Sequence, residues 1–101
     1  MAERIIVWTE TAKKQRREIL KYWTIRNQSP KYSHQLITQI ADRIKVILNQ
    51  PEIYKKADFP NTRVAAMEHY SIFYKITGSK LIITAFWDNR QNPEKLYELL
   101  K

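Results

Sequence analysis

Residues 62–87, TRVAAMEHYSIFYKITGSKLIITAFW, predict three consecutive strands. Apolar and β-branched side chains dominate this stretch and alternate with polar ones, which is typical of strands. Gly78, the only glycine in the chain, lies beside Ser79 where a two-residue hairpin turn needs a positive φ. A second turn is expected near Glu68 and His69. The stretch therefore predicts an antiparallel meander.

The residues before the meander predict one strand and one helix. The apolar run from Ile5 to Trp8 is typical of a short strand. From about residue 10 to residue 27 the pattern becomes helical, and either Thr9 or Thr11 could cap the start of this helix.

A second helix is predicted after a break at residues 27–33. Ser29 offers a capping hydroxyl, and Pro30 suits the first helical position because its missing N–H has no partner there. An apolar stripe then continues to about Asn49, and Pro51 ends the helix.

The predicted fold class is α+β, in the order strand, helix, helix, strand, strand, strand. A loop over residues 51–62 joins the helical hairpin to the meander, and residues 93–101 could add a short C-terminal helix. We expect the helices to pack on one face of a four-stranded sheet and the chain, residues 1–101, to form a single domain.

Strict alternation assigns the side chains of the last strand to opposite faces of the sheet. One face receives Leu81, Ile83, Ala85 and Trp87, and the other receives Ile82, Thr84, Phe86 and Asp88. Both sets are largely apolar, so the strand is expected to be central and covered on both sides.

The sheet face away from the two helices is expected to be covered incompletely. Exposed Phe73, Phe86 or Trp87 would mark it as a partner surface. Alternatively, the leucines of the C-terminal segment close this face internally.

The chain carries 18 Lys and Arg against 10 Asp and Glu, a formal net charge of +8. Such a bias suits an anionic partner, namely nucleic acid or an acidic protein segment, although an inert basic surface is the alternative. Lys13, Arg17 and Lys21 recur at helical spacing and predict a basic stripe on the first helix.

Several classes of protein are disfavoured by the composition. The chain has no cysteine and only two histidines, far apart in sequence, so we expect neither a disulfide framework nor a metal site, and no cofactor. No stretch approaches the roughly 18 apolar residues of a membrane helix, and the first residues do not resemble a signal peptide. The expected compartment is the cytoplasm, without membrane contact.

Two framework patterns carry a resemblance to a known family. The segments HYSIFYKI at 69–76 and IITAFWDNRQNPEKL at 82–96, with the order of elements, resemble the RelE/ParE superfamily of bacterial type II toxin–antitoxin toxins. The resemblance implies a toxin that arrests growth and is neutralised by a cognate antitoxin. It also allows a homodimer, or a heterotetramer with the antitoxin.

The superfamily divides by target. RelE-like members are ribosome-dependent mRNA endonucleases that need no metal, and the resemblance would then assign catalytic roles to Arg63, Arg90 and Tyr97. ParE-like members inhibit DNA gyrase and largely lack this set. Ser71 stands where a RelE-like toxin has an arginine, and the RVAAM strand lacks the RelE-like lysines.

These departures favour the gyrase inhibitor, with the mRNA endonuclease as the alternative. Whether the chain is an enzyme depends on that choice. A third class is a basic binding module without toxin activity. The residues predicted to bind a partner are Lys13, Arg17, Lys21, Phe73, Lys75, Phe86, Trp87 and Arg90.

Overall fold

A computed structural model describes residues 4–100. Its elements follow the predicted order. They are β1 (Ile5–Trp8), α1 (Glu10–Asn27), α2 (Lys31–Asn49), β2 (Arg63–Ala66), β3 (Tyr70–Thr77), β4 (Lys80–Asp88) and α3 (Pro93–Leu100).

The described strands form one four-stranded sheet in the order β1-β4-β3-β2. β2, β3 and β4 are the predicted antiparallel meander, and β1 pairs in parallel with β4. The predicted central position of β4 is thus confirmed. Gly78 adopts a φ of 55° in the β3–β4 turn, and the amide of Met67 donates to the carbonyl of Tyr70 across the β2–β3 turn.

Capping residues set where both long helices begin. The hydroxyl of Thr9 accepts from the amide of Ala12 at 3.1 Å, so Thr9, one of the two predicted candidates, caps α1. α2 begins one residue later than predicted, because Pro30 occupies the N-cap position and its carbonyl accepts the amide of His34. The Ser29 hydroxyl accepts from the amide of Lys31 at 3.2 Å but is not the cap residue.

The main core lies between α2 and the helix-side face of the sheet. α2 buries residues three or four positions apart, which is the spacing of one helical face. These residues are Ser33, Leu36, Ile40, Ile44 and Ile47. The four aliphatic members pack against buried side chains of β3 and β4, namely Tyr70, Ile72, Tyr74, Leu81, Ile83 and Phe86. The hydroxyl of Ser33 instead donates to the carbonyl of Leu20 in α1 at 2.9 Å.

A β-bulge in β4 makes the predicted alternation wrong for this strand. Phe73 pairs with Ala85, but the next residue of β3, Tyr74, pairs with Ile83. Thr84 is therefore an extra residue on β4, and side chains beyond it change faces.

The bulge sorts the apolar side chains of β4 differently from strict alternation. Leu81 and Ile83 face the helices, Ala85 and Trp87 face the other side, and Phe86 joins the helix-side core. Phe86 is 0% exposed, which corrects its prediction as an exposed anchor for a partner.

The second face of the sheet is closed by α3. Leu96 lies in a cluster with Phe73, Ala85 and Trp87, and Leu100 packs against it. Phe73 and Trp87 are 8% and 6% exposed, so of the two alternatives left open by the sequence, internal closure is observed and an open aromatic surface is not. α3 shields these rings with Leu96 and Leu100, which lie four positions apart on one helical face.

Candidate functional site

An aromatic cleft lies at the carboxyl end of β4, between α1 and α3. It has a volume of about 470 Å³. Its aromatic lining comes from α1, β3 and β4. The rings are those of Tyr22, Trp23, Tyr70, Phe86 and Trp87. The open cleft would accept one or a few side chains of a partner, because mostly apolar concavities are where partner anchors bind.

Contacts between α1 and the sheet fix the base of this cleft. The indole N–H of Trp23 donates to the hydroxyl of Tyr70 at 2.7 Å. The ring of Tyr70 stacks on that of Phe86 with centroids 5.2 Å apart. Trp23 also meets Tyr22 and Tyr32 edge-on, at 5.1 and 5.0 Å. Such a packed aromatic group presents a preorganised surface, which lowers the entropic cost of binding.

Two guanidinium groups lie near the same indole ring. The Cζ atoms of Arg26 and Arg90 are 5.7 and 6.0 Å from the centroid of Trp23. Arg26 also donates to the hydroxyl of Tyr22 at 3.1 Å. The cleft therefore has an aromatic base and a rim of mixed charge, because Glu18 and Asp88 line it together with Arg90.

Arg90 is held by Asp88. Its Nε and Nη2 atoms donate to the two carboxylate oxygens of Asp88, each at 3.0 Å, and its backbone amide donates to Oδ1 at 2.9 Å. The hydrogen bonds from Arg90 lower the pKa of Asp88, against the opposing effect of its partial burial. Asp88 in turn raises the pKa of Arg90, so both groups stay charged.

The buried tyrosines are suited to hydrogen bonding rather than to base chemistry. Burial raises the pKa of Tyr70 and of Tyr74. Both hydroxyls therefore stay protonated near neutral pH. Tyr74 donates to the carbonyl of Pro51 at 2.7 Å, which attaches the start of the loop after α2 to the sheet.

The three residues with predicted catalytic roles are not brought together. Arg63 pairs with Tyr74 and so shares the helix-side face, where its guanidinium donates to the carbonyl of Tyr54 at 2.7 Å. Tyr97 lies on α3, on the opposite face, and its hydroxyl donates to Asp58 at 3.3 Å. Only Arg90 belongs to the cleft.

The predicted basic stripe lies on the exposed surface of α1. Lys13, Arg17 and Lys21 are all exposed, and Lys13 forms an ion pair of 3.5 Å with Glu10. Lys75 is half-buried on β3, opposite Ile82. The binding role of these residues remains a prediction.

Several residues of the cleft were missed by the sequence interpretation. No sequence pattern linked Tyr22 and Trp23 of α1 to Tyr70, 47 positions beyond Trp23. The sequence assigned Asp88 to one face of β4. In the structure its carbonyl accepts the amide of Gln91 and its carboxylate holds Arg90. Adjacent aromatic residues near the end of a helix, 52% exposed at Tyr22, are the signal that could have indicated a surface site.

Within residues 4–100, no three acidic or histidine side chains lie close enough together to hold a metal ion. None of the helices in this range is both long and apolar enough to cross a membrane.

The comparisons with known proteins point to one family. Residues 6–93 match the family model described as the ParE toxin of the type II toxin–antitoxin system parDE. Among solved structures, the chain is similar to one titled "Chromosomal ParDE TA system from P. aeruginosa", with a TM-score of 0.70 and 15% identity. That alignment covers 84% of this chain and 95% of the other. No curated protein sequence matches the chain significantly.

Proposed function

The chain belongs to the ParE toxin family of type II toxin–antitoxin systems, and on that premise we propose that it arrests growth by inhibiting DNA gyrase. A toxin of such a system has a cognate antitoxin, and we propose that this antitoxin neutralises the chain by direct binding. The proposed site of action is the cytoplasm. We also propose that residues 1–101 act as one toxin domain, because the family match spans residues 6–93.

The observation that carries the choice of gyrase is the separation of the RelE-like catalytic candidates. Metal-free RNA cleavage needs a base, a phosphate-neutralising cation and an acid around one phosphate. Arg63 and Tyr97 lie on opposite faces of the sheet, and Arg63 is engaged by a backbone carbonyl. Ser71 is buried and donates to Asn89 at 2.8 Å, so that position supplies no cation. A binding inhibitor is favoured over a nuclease.

We assign the contact with the target to the aromatic cleft. Its base is preorganised by the Trp23–Tyr70 hydrogen bond, and Arg90, held by Asp88, places a guanidinium at its rim. In interfaces, Trp, Tyr and Arg are the residues whose truncation most often costs binding energy.

Two assays on the purified toxin separate the candidate targets. We expect inhibition of supercoiling by purified gyrase and no new 5′ ends when translated messages are mapped by primer extension. Cuts that follow the reading frame, with unaffected gyrase, would establish the RelE-like alternative instead. If both assays are negative while the antitoxin still binds, the chain is a basic binding module.

The assignment of the cleft has its own test. Trp23→Ala and Arg90→Ala should weaken gyrase inhibition, whereas Arg43→Ala should not. Arg43 is a matched control because it also lies over an aromatic ring, that of Tyr54, but on α2 and outside the cleft. Equal loss of inhibition in all three variants, or none, would contradict the assignment.

Toxicity and neutralisation are tested in a bacterium. Induction of the chain alone should stop growth, and coexpression of the cognate antitoxin should restore it. Light scattering of the purified complex then distinguishes a heterotetramer from a smaller assembly, and the same measurement on the free toxin detects a homodimer.

A further inference from the structure

β1 is an edge strand whose outer side has no strand partner among residues 4–100. The amides of Ile5 and Thr9 donate to Ser79 and Ile83 at 2.7 and 3.0 Å. Main-chain groups alternate in direction along a strand, so the N–H and C=O groups of Ile6 and Trp8 point away from β4.

Within β1 itself there is no charge, proline or bulge. These are the features by which natural edge strands avoid pairing with another chain. β1 has the sequence IIVW, and its pairing with β4 is regular. Ile5, Ile6 and Val7 are 61%, 41% and 36% exposed, so apolar side chains face solvent beside unpaired main-chain groups.

An apolar groove adjoins the same edge on the helix side. It has a volume of about 370 Å³ and is lined by Trp8 of β1, Leu20 of α1 and Ile37, Ile40 and Ile44 of α2. Ile37 is 47% exposed there. A strand lying beside β1 would direct alternate side chains toward this groove, since successive side chains of a strand point to opposite faces.

The charge around the edge indicates an acidic occupant. Arg16 lines the groove with its guanidinium 4.2 Å from the centroid of the Trp8 ring, and the exposed Lys80 pairs with Ile5. A second copy of the chain would bring another net charge of +8 to this edge, whereas an acidic segment would be attracted.

We propose that β1 accepts an extended acidic peptide segment as a fifth strand of the sheet, with its apolar side chains in the groove and its carboxylates near Arg16 and Lys80. Main-chain hydrogen bonds to Ile6 and Trp8 supply affinity, and the groove supplies selectivity for alternating apolar residues. The proposal rests on the proposed function only in assigning this segment to the antitoxin. It does not depend on gyrase inhibition.

The test uses a short blocked peptide that alternates valine and glutamate, added to the full chain. Hydrogen exchange followed by NMR should show slower exchange at the amides of Ile6 and Trp8. Val7 serves as the internal reference, because its amide already faces β4. N-methylation of one alternate set of peptide amides should weaken binding by about tenfold or more, and methylation of the other set should not.

Two further experiments test the charge of the peptide and the outward N–H of Ile6. An alternating valine–lysine peptide differs from the valine–glutamate peptide in the sign of its charges. It should not bind, because the basic groups around β1 would repel it. Ile6→Pro removes an outward N–H and should abolish binding while leaving the sheet folded, as proline is tolerated when its nitrogen faces away from the ladder.

Four outcomes would overturn the proposal. These are equal binding by both N-methylated peptides, equal binding by the lysine peptide, no binding, and protection of Ile6 and Trp8 that rises with toxin concentration alone. The last would identify a second copy as the occupant. The N-methylated peptides decide the question even if Ile6→Pro fails to fold.

Discussion

The side-chain oxygen of Gln15 accepts a hydrogen bond of 2.9 Å from the backbone amide of Phe86. β1 ends at Trp8 and pairs with β4 only as far as Ile83, so no strand satisfies this part of the β4 edge within the described residues. Gln15 of α1 takes the place of that strand. The contact joins α1 to the sheet beside the aromatic cleft, where backbone groups left without partners would destabilise the fold.

Gln15→Met should therefore destabilise the protein although it is close in volume to the native residue. It leaves the Phe86 amide without its acceptor, a loss of about 1–3 kcal/mol in the free energy of unfolding. Urea denaturation measures the loss in the free energy of unfolding. Faster hydrogen exchange at the Phe86 amide would show that the loss arises at this hydrogen bond. Lys14→Met makes a similar apolar change at an exposed neighbour and should have little effect. Similar losses in both variants would mean that the hydrogen bond is not the cause.

Asp88→Asn should reduce stability at neutral pH but not in acid. The folded-state pKa of Asp88 lies below its ordinary value of 3.8 because Arg90 hydrogen-bonds to the charged form. The stabilisation is therefore present above the unfolded-state pKa and is lost as pH falls through the folded-state value. The urea midpoint of unfolding should be measured for both proteins as a function of pH. The difference between wild type and variant should disappear as pH falls through that acid range.

Asp42→Asn on the exposed surface of α2 controls for removing one negative charge from a basic chain. Its midpoint should follow that of the wild type at every pH. A gap for Asp88→Asn that persists unchanged in acid would show that ionisation of Asp88 does not contribute to stability.

Tyr70→Phe should destabilise the cleft and change the response to alkali. It leaves the Trp23 N–H without its acceptor, at about 1 kcal/mol. Burial raises the pKa of Tyr70 above 10.0, so the wild type loses stability as pH rises past the unfolded-state value, and the variant lacks this loss. Thermal unfolding measured from neutral to alkaline pH checks both effects. Tyr22→Phe removes a hydroxyl at the exposed rim of the cleft. It should change neither the thermal stability nor its response to alkaline pH.

The order of elements was predictable because its causes are local in sequence. A single glycine sets the β3–β4 turn at Gly78, Thr9 caps α1, and the spacing of isoleucines in α2 defines one buried face. Each depends on residues close together in the chain, which a sequence pattern reports directly.

The bulge and the cleft were not predictable, because their causes are distant in sequence. Thr84 becomes an extra residue only through the register of β4 against β3, and its carbonyl accepts the hydroxyl of Thr9, 75 positions away. That one residue moved Phe86 from the expected outer surface to the core. The pairing of Trp23 with Tyr70 likewise depends on how α1 crosses the sheet.

Leu96→Ala should loosen α3 from the second face of the sheet. Leu96 is 4% exposed and packs against Phe73, Ala85 and Trp87, so its truncation should cost about 2–5 kcal/mol, less if α3 detaches before the sheet unfolds. Increased binding of a hydrophobic dye and a shift in tryptophan fluorescence would report the uncovered rings. Leu99→Ala is the matched control, since Leu99 is 51% exposed. If Leu96→Ala binds no more dye than the wild type, α3 does not shield this face.

The basic stripe of α1 should control how fast the antitoxin associates. Lys13, Arg17 and Lys21 are exposed, and exposed charges act mainly on the encounter rate and its salt dependence. Double reversal, Lys13→Glu with Arg17→Glu, should slow association at low salt, measured by stopped flow, and the difference should shrink as salt screens the charges. The dissociation rate should change little, because it depends on close contacts.

Lys45→Glu with Lys31→Glu provides the matched control, because it makes the same change in net charge at exposed residues of α2. A smaller effect of this pair would show that the position of the charge matters and not only the total of +8. If both pairs slow association equally, the stripe contributes only through the total positive charge of the protein and not through its position. Unchanged association in the α1 double variant would show that the stripe is a hydrated helix surface that the antitoxin does not use.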